Sequence, residues 1–422
     1  MKPLSWLSAC VIAGSLAGGP VRAQPAASPP PPQAAQASTP AASSGLVTLR
    51  AALDAAWQRA VTARETEGQR RRADADRAVA SSLWAAPPSL ALSHRDDRLQ
   101  SNAGRRETEI GVAVPLWLPG QRTARAGTAE AAAAQALAAE QVARLRLVGE
   151  LREAAWLLAA LQVELVQADT QAQSLKQLAD DVERRVRAGD LARADALAAQ
   201  AEHLAAASQQ ADVLQRLQAA RSRWTLLTGL TAAPDLTADA ATDLPATAHP
   251  ELQFASQSTE LARQRVELMR RSRRDAPELT VGVRQDTPGR AESSQGSLVV
   301  GLRLPFGTDD RNRPLEAAAL AELDVAQTHE QRLRERLDSD IVAARDAQRS
   351  AQVQLDAETT RARLLRERAT LIDKSFRAGE TPLPDLLRAL AAAAQADSAA
   401  ARQTAALGLA RARLQQALGL LP

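Results

Sequence analysis

The sequence contains no tyrosine, and its three phenylalanines and six tryptophans bring aromatic residues to only 2% of 422 positions. A chain with so few bulky side chains, whose apolar residues are mostly Ala and Leu, favours long helices packed side by side over a large globular core. Cysteine is scarce as well, because Cys10 is the only one. It lies in a segment that we predict to be removed, so disulfides and thiolate-bound metals are excluded from the mature chain.

An excess of charge of one sign is also missing. The 52 Lys and Arg residues nearly balance the 49 Asp and Glu residues, and the two signs are interspersed. No basic block is present, so nucleic acid is not an expected partner. The four histidines are scattered, without metal-ligand spacing, and no nucleophile elbow or phosphate-binding loop is present. We therefore predict no enzyme activity, no cofactor and no metal site; the histidines are His94, His203, His249 and His329.

The N-terminus has the pattern of a secretory signal over residues 1–23. Lys2 supplies the charge, Leu4–Gly19 the apolar stretch and Val21–Ala23 the small-residue cleavage pattern. Cys10 ends a short lipoprotein-like box, but too few apolar residues precede it, and we favour cleavage at Ala23 over lipidation. After the signal, no apolar run of about 20 residues is present, so any membrane crossing is expected to use β-strands.

An internal duplication follows a Pro/Ala-rich linker at 24–45. Landmark residues recur at a constant offset of 190, so two equivalent units follow each other without insertions between the landmarks. We predict a first repeat at 46–230, a linker at 231–248 and a second repeat at 249–422. The matched residues are Gly111 and Gly301, Pro115 and Pro305, Gly189 and Gly379, Asp195 and Asp385, and Gly229 and Gly419.

Each repeat is predicted to contain a helix, two strands and a long helix hairpin. In the first repeat the helix is Thr48–Leu83, the strands are about 89–96 and 107–117, and the hairpin is 120–228. In the second repeat the helix is Pro250–Arg274, the strands are about 278–286 and 296–305, and the hairpin is 313–420.

The predicted strands alternate apolar and small or polar residues, as in Ile110, Val112 and Val114 against Glu109 and Gly111. One wholly apolar face suits a wall with lipid outside and water inside, and it equally suits an ordinary half-buried hairpin. Aromatic side chains just beyond the strand ends fit a membrane interface, and core packing explains them equally well. These residues are Trp84, Trp117 and Phe306.

The hairpins carry a heptad pattern. Gly120 to Arg187 contains no proline, which allows one helix of about 100 Å. Apolar residues recur every seven positions from Leu151 to Val186, with a second set three positions later from Ala154 to Val182. Such a seam over five heptads predicts left-handed supercoiling against a partner helix. The second repeat keeps the seam between Ile341 and Phe376, apart from Gln348 and Glu358.

The predicted fold is mainly α with a small β part: long antiparallel coiled-coil helix hairpins plus four β-strands per chain. Four strands cannot close a membrane barrel, because known barrels begin at about eight strands. A trimer would supply 12 strands for an outer-membrane β-barrel and would assemble the hairpins into a periplasmic α-helical barrel.

With this duplicated plan, the chain resembles the TolC family of outer membrane factors over nearly all of its mature length. The turns Arg187-Ala188-Gly189 and Arg377-Ala378-Gly379, each followed by Asp-Ala-Leu or Asp-Leu-Leu, are similar to those of the family. Two further segments, Pro119–Arg125 and Leu304–Arg313, are most similar to its CzcC-like heavy-metal branch.

The resemblance implies a homotrimeric exit duct in the Gram-negative outer membrane, surrounded by lipid and extending into the periplasm. Its expected partners are a periplasmic adaptor (membrane fusion protein) and an inner-membrane pump of the resistance–nodulation–division (RND) type, which together export heavy-metal cations. The adaptor would contact the turns Arg187, Ala188 and Gly189 and Arg377, Ala378 and Gly379.

Acidic side chains near the same turns are candidates for a ring at the pore entrance that favours cations. These are Asp180, Asp181, Glu183, Asp190, Asp373, Glu380 and Asp385. Drug efflux and type I protein secretion through such a duct stay open, and so does a periplasmic coiled-coil adaptor or structural protein.

Overall fold

A computed structural model describes residues 45–99, 101–236, 249–306 and 309–422. The predicted signal peptide with Cys10, all but the last residue of the Pro/Ala-rich linker and most of the second linker lie outside the described residues. Within these ranges the chain is mainly helical, with six short or medium strands. In chain order the elements are β1 Val47–Thr48, α1 Leu49–Arg59, α2 Val61–Ser81, β2 Ser89–Asp96, β3 Arg106–Pro115, α3 Gln121–Ala188, α4 Arg193–Thr228, β4 Pro234–Asp235, α5 Pro250–Arg271, β5 Glu278–Thr287, β6 Gln295–Arg303, α6 Asp309–Arg377 and α7 Leu383–Ala417.

The four longer strands form one antiparallel sheet in the order β2–β3–β5–β6. The two hairpins meet at its centre, where Gly111 of β3 lies opposite Gly282 of β5. A Cβ atom on Gly282 would lie 2.6 Å from the carbonyl oxygen of Ile110 and 2.7 Å from the Cα atom of Gly111. The two halves of the sheet therefore approach closely at this joint because both residues are glycine.

The helices continue the order of the strands. Next to the sheet, α2 packs on α3, α3 on α5, and α5 on α6. Farther from the sheet, α4 takes the place of α2 and α7 takes the place of α5, so that the order becomes α4–α3–α7–α6. The two long helices α3 and α6 run through both layers. Apart from the short α1, helices α2 and α4 pack mainly on α3, and α6 packs on α5 and α7.

The long helices bury the predicted heptad seam. In α3 the side chains of Leu151, Leu158, Leu161, Leu175 and Val182 are buried. Small side chains between them let α4 and α7 approach α3 closely, which fits the alanine-rich composition. Both hairpins turn at a glycine with positive φ, where α3 and α6 end.

The core of the first repeat lies where the helix order changes. Helix α1 packs Leu49, Leu53 and Ala56 against Leu217 and Trp224 of α4 and against the middle of α3. The C-terminal end of α7 abuts the start of α5, because a Cβ atom on Gly419 would lie 2.6 Å from the His249 ring. Sequence-distant helix ends are thus brought together in the middle of the molecule.

Two features of the fold differ from the sequence prediction. The predicted single helix at Thr48–Leu83 was wrong, because the chain is extended at Ala60 between α1 and α2. The break lets α1 turn its apolar side onto α3 and α4 while α2 runs along α3 towards the sheet. The parallel pairing of β1 with β4 was not predicted, since two-residue strands carry no alternation pattern. Among the described helices, none has the length and hydropathy needed to cross a membrane.

Candidate functional site

One face of the four-stranded sheet is apolar and exposed to solvent in the single chain. Leu90 and Leu298, on the two edge strands, are 74% and 71% exposed. The strand register brings the apolar residues of all four strands onto this same face. A continuous exposed apolar surface of this kind marks a contact with lipid or with another protein. It consists of Leu90, Leu92, Ile110, Val112, Val281, Val283, Leu298, Val300 and Leu302.

The opposite face carries a network of ion pairs that the sequence analysis missed. The Arg284 Nη2 atom lies 2.7 Å from Glu109 Oε2, and its Nε atom lies 3.0 Å from Glu107 Oε1. Arg95 on the edge strand β2 lies 3.7 Å from Glu107. The network spans the joint between the two halves of the sheet. Alternating charged residues in β3 were the available signal, and only the pairing of β3 with β5 reveals their partners.

The two edge strands of this sheet, β2 and β6, each lack a second neighbour within the described residues. An unpaired edge exposes a row of backbone donors and acceptors, which is a template for pairing with another chain. Because four strands alternate in direction, β6 is antiparallel to β2. If a second copy lies beside the sheet in the same orientation, its β2 would therefore run antiparallel to β6 of the first copy.

The aromatic residues predicted at a membrane interface differ in their surroundings. Phe306 is 87% exposed just after β6. Trp117 is partly buried, and its Nε1 atom donates a hydrogen bond of 3.2 Å to the carbonyl oxygen of Ser82. Trp84 is 37% exposed. Phe306 therefore has the free position expected of an interfacial side chain, whereas Trp117 has a structural contact.

The two helix turns lie side by side at the end of the molecule far from the sheet. Val182, Phe376 and Leu386 form one small core with their neighbours, and the Arg185 guanidinium lies 5.2 Å from the centre of the Phe376 ring. Gly189 and Gly379 adopt φ values of +89° and +80°. The structure thus brings together, exposed on one surface, the residues Arg187, Ala188, Gly189, Arg377, Ala378 and Gly379.

The acidic residues near these turns fall into two groups. Within the described chain, four of them make ion pairs on their own helix: Asp181 with Arg184 and Arg185, Glu183 with Arg187, Asp373 with Arg377, and Asp385 with Arg388. No ion pair to another described residue is found for Asp180, Asp190 or Glu380. Among the candidate acids, these three are therefore the ones without an ion pair inside the described chain.

The histidines do not form a metal site in the described ranges, where no cluster of three or more metal-ligating residues is present. His94 Nδ1 lies 2.9 Å from the Thr108 hydroxyl oxygen, across two strands of the sheet. His249 caps α5, and its Nδ1 atom accepts a hydrogen bond of 3.2 Å from the backbone N–H of Glu251. Burial lowers the pKa of His249 below its usual value, and Arg336 lowers it further against the opposing effect of Glu251.

A small antiparallel sheet carried on two very long helix hairpins, duplicated along one chain, is the fold of bacterial outer-membrane channels. The chain superposes on the outer membrane protein VceC of Vibrio cholerae with a TM-score of 0.71 and 16% sequence identity, covering 88% of this chain and 96% of that one. For the CmeC outer membrane channel of Campylobacter jejuni the values are 0.71 and 13%, with 88% and 85% covered.

The open state of the MtrE outer membrane channel of Neisseria gonorrhoeae is a third similar structure, with a TM-score of 0.66, 18% identity and 88% of each chain covered. Comparison with family models and with curated protein sequences gives no match. The fold is therefore shared over nearly the whole length of these channels, while the sequences have diverged widely.

Proposed function

We propose that this chain is one subunit of a trimeric outer-membrane exit duct of the TolC family. The observation that carries the proposal is that the sheet and the helices each have two opposite edges without a neighbouring long element in the described chain. These edges are β2 and β6 in the sheet, and α2 or α4 and α6 among the helices. A contact between one edge and the opposite edge of the next copy is heterologous, and a ring forms when the rotation closes. Three copies of four strands give the 12 strands of the proposed barrel.

The edges of the helix layer support the same ring. Leu197 on α4 and Leu371 on α6 are exposed, and each lies eight residues from the glycine of its helix turn. Leu204 and Leu364 are exposed as well, and each lies 15 residues from that glycine. Each residue of a helix adds about 1.5 Å along its axis, so leucines separated from their turn glycines by the same number of residues lie at about the same height. When α4 of one copy packs on α6 of the next, these leucines meet in pairs.

Disulfide cross-linking tests this packing directly, in a chain whose Cys10 is replaced by Ser. The pair Leu204→Cys and Leu364→Cys is expected to yield a covalent trimer on mild oxidation of whole membranes, because the two positions face each other at one height. The matched control pairs Leu197→Cys with Val353→Cys, whose heights differ by about 27 Å. Disulfides need Cα atoms within about 7 Å, so the control is expected to stay monomeric.

The sizes of the cross-linked products also show whether the assembly closes into a ring. A ring of three gives a ladder that ends at the trimer, whereas an open assembly gives longer products. Absence of cross-links in the matched pair, with the protein present in the outer-membrane fraction, contradicts the proposed edge contact.

At the far end of the duct we propose that the two exposed helix turns contact a periplasmic adaptor. The arrangement of Arg187 and Arg377 beside positive-φ glycines on one surface supports this, because both turns can then be contacted together. The carboxylates of Asp180, Asp190 and Glu380 would be repeated three times around the axis and favour cations at the pore entrance.

The proposed cargo is heavy-metal cations, exported by an RND pump through the adaptor and this duct. The support is the similarity of Pro119–Arg125 and Leu304–Arg313 to the CzcC-like branch. A strain lacking the gene is expected to become sensitive to zinc, cadmium or cobalt, and the wild-type gene is expected to restore tolerance. Sensitivity to drugs with unchanged metal tolerance instead favours drug efflux, and loss of a secreted protein favours type I secretion.

A periplasmic coiled-coil adaptor or structural protein is the alternative from another class. The two helix hairpins and the exposed apolar face of the sheet favour the duct, because a soluble adaptor gains nothing from such a face. Washing membranes with carbonate distinguishes an integral outer-membrane duct from a soluble periplasmic protein. An integral duct stays in the membrane pellet, and recovery of the chain as a soluble monomer contradicts the proposal.

A further inference from the structure

A groove runs along the middle of α3 between α4 and α7, and we name it the α3 groove. It contains two adjoining cavities of about 320 and 250 Å³. Both are lined by Glu153 of α3, Arg223 of α4 and Leu409 of α7. Helix α1 packs its apolar side chains against other residues of α3, including Leu151 and Leu158. The groove itself stays open, at the lower end of the size range of ligand pockets.

The floor of the larger cavity is apolar. It is formed by Trp156, Leu157 and Ala160 of α3 and by Ala405 and Leu409 of α7. Leu157 is 43% exposed, although its neighbours Ala155 and Leu158 are fully buried. An indole ring and an exposed leucine side by side form a surface that an alkyl chain can cover with release of water.

The indole ring of Trp156 is fixed by its contact with α7. A Cβ atom on Gly408 would lie 2.1 Å from the nearest atoms of this ring, so the ring rests directly on the backbone of α7. The glycine therefore makes the space that the tryptophan occupies. A ring held in this way offers a preformed surface, and a ligand does not have to order it on binding.

The lining of the groove has more arginines than acids, namely Arg152, Arg223, Arg402 and Arg413 against Glu150 and Glu153. Arg223 and Arg402 line the larger cavity, and neither forms an ion pair with another residue of the described chain. Arg413 lines the smaller one and is paired with Glu153 at 2.9 Å. Most other arginines of the two long hairpins have an acidic partner on their own helix or the next one. Two guanidinium groups without an acidic partner in the described chain therefore lie beside one apolar floor.

We propose that the α3 groove binds an amphipathic monoanion, with a carboxylate or sulfate head and a single alkyl chain. Arginine matches the geometry of these heads because its planar group donates two parallel hydrogen bonds. The head would lie between Arg223 and Arg402, and the chain would lie over Trp156 and Leu157. The proposal does not depend on duct formation, because binding is measured on the full mature chain whether or not it conducts.

Fluorescence quenching of Trp156 tests the proposal. The probes are terminally brominated undecanoate and the corresponding brominated undecanol, which have the same chain and differ in the charge of the head. The protein is held in a neutral amphipathic polymer, and the Trp156→Phe variant supplies the background of the other tryptophans. The carboxylate is expected to quench Trp156 at about tenfold lower concentration than the alcohol.

Two variants separate the charge effect from folding. The double variant Arg223→Gln with Arg402→Gln is expected to abolish the advantage of the carboxylate, while Arg345→Gln with Arg363→Gln removes two arginines from α6 and keeps it. Glu153→Gln is expected to strengthen carboxylate binding, because it removes a repelling charge and releases Arg413. A gain of affinity cannot result from misfolding.

Three results overturn the proposal. The first is equal quenching by the two probes, which means that the groove is apolar without charge selection. The second is absence of any quenching of Trp156 while the variants fold normally. The third is an unchanged advantage of the carboxylate in the Arg223→Gln, Arg402→Gln variant.

Discussion

The guanidinium group of Arg152 on α3 donates a hydrogen bond of 3.1 Å to the carbonyl oxygen of Leu420, 268 residues later in the chain. The side chain is 2% exposed and also donates to the Gln416 Oε1 atom at 3.2 Å. Leu420 lies three residues beyond the C-terminal end of α7, and a cation beside that end interacts favourably with the helix dipole. Arg152 thus fastens the end of the second repeat to the middle of the first.

Replacement of Arg152 by Met is expected to lower the free energy of unfolding by about 2–4 kcal/mol, because it leaves buried carbonyl and amide oxygens without their charged donor. The measurement is thermal unfolding of the purified protein. The matched control is Arg146→Met, an exposed arginine on the same helix, which is expected to change stability by no more than about 0.5 kcal/mol. Equal melting of the two variants contradicts the role of Arg152.

The contact of Gly408 with Trp156 predicts a steric effect that a second substitution relieves. Gly408→Ala is expected to destabilise the protein by about 1–3 kcal/mol, since the new methyl group meets the indole ring. Combining it with Trp156→Leu should recover much of the loss, which a double-mutant cycle measures. In contrast, Gly68→Ala on α2 meets nothing within 4 Å and is expected to stabilise by about 0.5–1 kcal/mol. Simple additivity of Gly408→Ala and Trp156→Leu would contradict this explanation.

The joint of the sheet predicts a difference between two glycines. Gly282→Ala is expected to prevent assembly of the proposed trimer, because its methyl group would meet the backbone of β3 at Ile110 and Gly111. Gly301→Ala has its nearest atom at 3.8 Å and is expected to assemble like wild type. The measurement is the yield of cross-linked trimer in the outer-membrane fraction. Normal assembly of Gly282→Ala would show that β3 and β5 separate more easily than the structure indicates.

Much of this fold follows from sequence patterns that repeat. The constant offset of 190, the heptads of α3 and the alternation in β3 each depend on local spacing, and they predicted the helix hairpins and the strands. Features that depend on packing between distant segments were missed. Arg152 follows a seam leucine and would be taken for a solvated charge, and the break at Ala60 has neither glycine nor proline to mark it.

The candidate site likewise contains features that local sequence spacing predicts and features that only the packing of distant segments reveals. The exposed turns at Gly189 and Gly379 follow from glycine and arginine spacing alone. The α3 groove could not be predicted, because Trp156, Arg223 and Arg402 are brought together by three different helices. Their separate positions in the sequence resemble ordinary helix residues, and only the packing of α7 against α3 makes them one surface.

The N-cap of α5 predicts a loss of stability at acid pH. His249 accepts a hydrogen bond from the Glu251 N–H only when its Nδ1 atom is unprotonated. Because the pKa of His249 is lowered in the folded protein, the unfolded chain binds the proton more readily. The contribution is therefore complete above about pH 6.5, falls as the pH decreases through that value, and becomes constant below the lowered pKa.

The measurement is melting temperature between pH 7.5 and 5 for wild type and His249→Asn. Asparagine can still cap the helix and does not titrate, so the variant is expected to lose the pH dependence that His249 contributes. His329→Asn is the control, because this histidine lies on α6 away from the cap. Identical pH profiles of wild type and His249→Asn contradict the titration of His249 as the cause.

The three carboxylates without ion pairs near the helix turns predict the selectivity of the proposed duct. Replacing Asp180 and Asp190 by Asn and Glu380 by Gln is expected to reduce cation preference, because nine charges disappear from the pore entrance of a trimer. The measurement is the reversal potential of single channels in a salt gradient. The control replaces three exposed acids on α2 and α6, Asp76, Asp324 and Asp338, each by Asn, and is expected to leave the potential close to wild type.

Two outcomes of the reversal-potential measurement distinguish failure of the proposed duct from failure of the proposed acidic ring. If the wild-type protein forms no conducting channel in a lipid bilayer, the proposed duct is contradicted whatever the variants do. If the wild type conducts and the triple variant keeps the same reversal potential, the duct stands and the acidic ring is wrong. Because surface charges are screened by salt, the difference between triple variant and wild type should shrink as the ionic strength rises from about 0.1 M to 1 M.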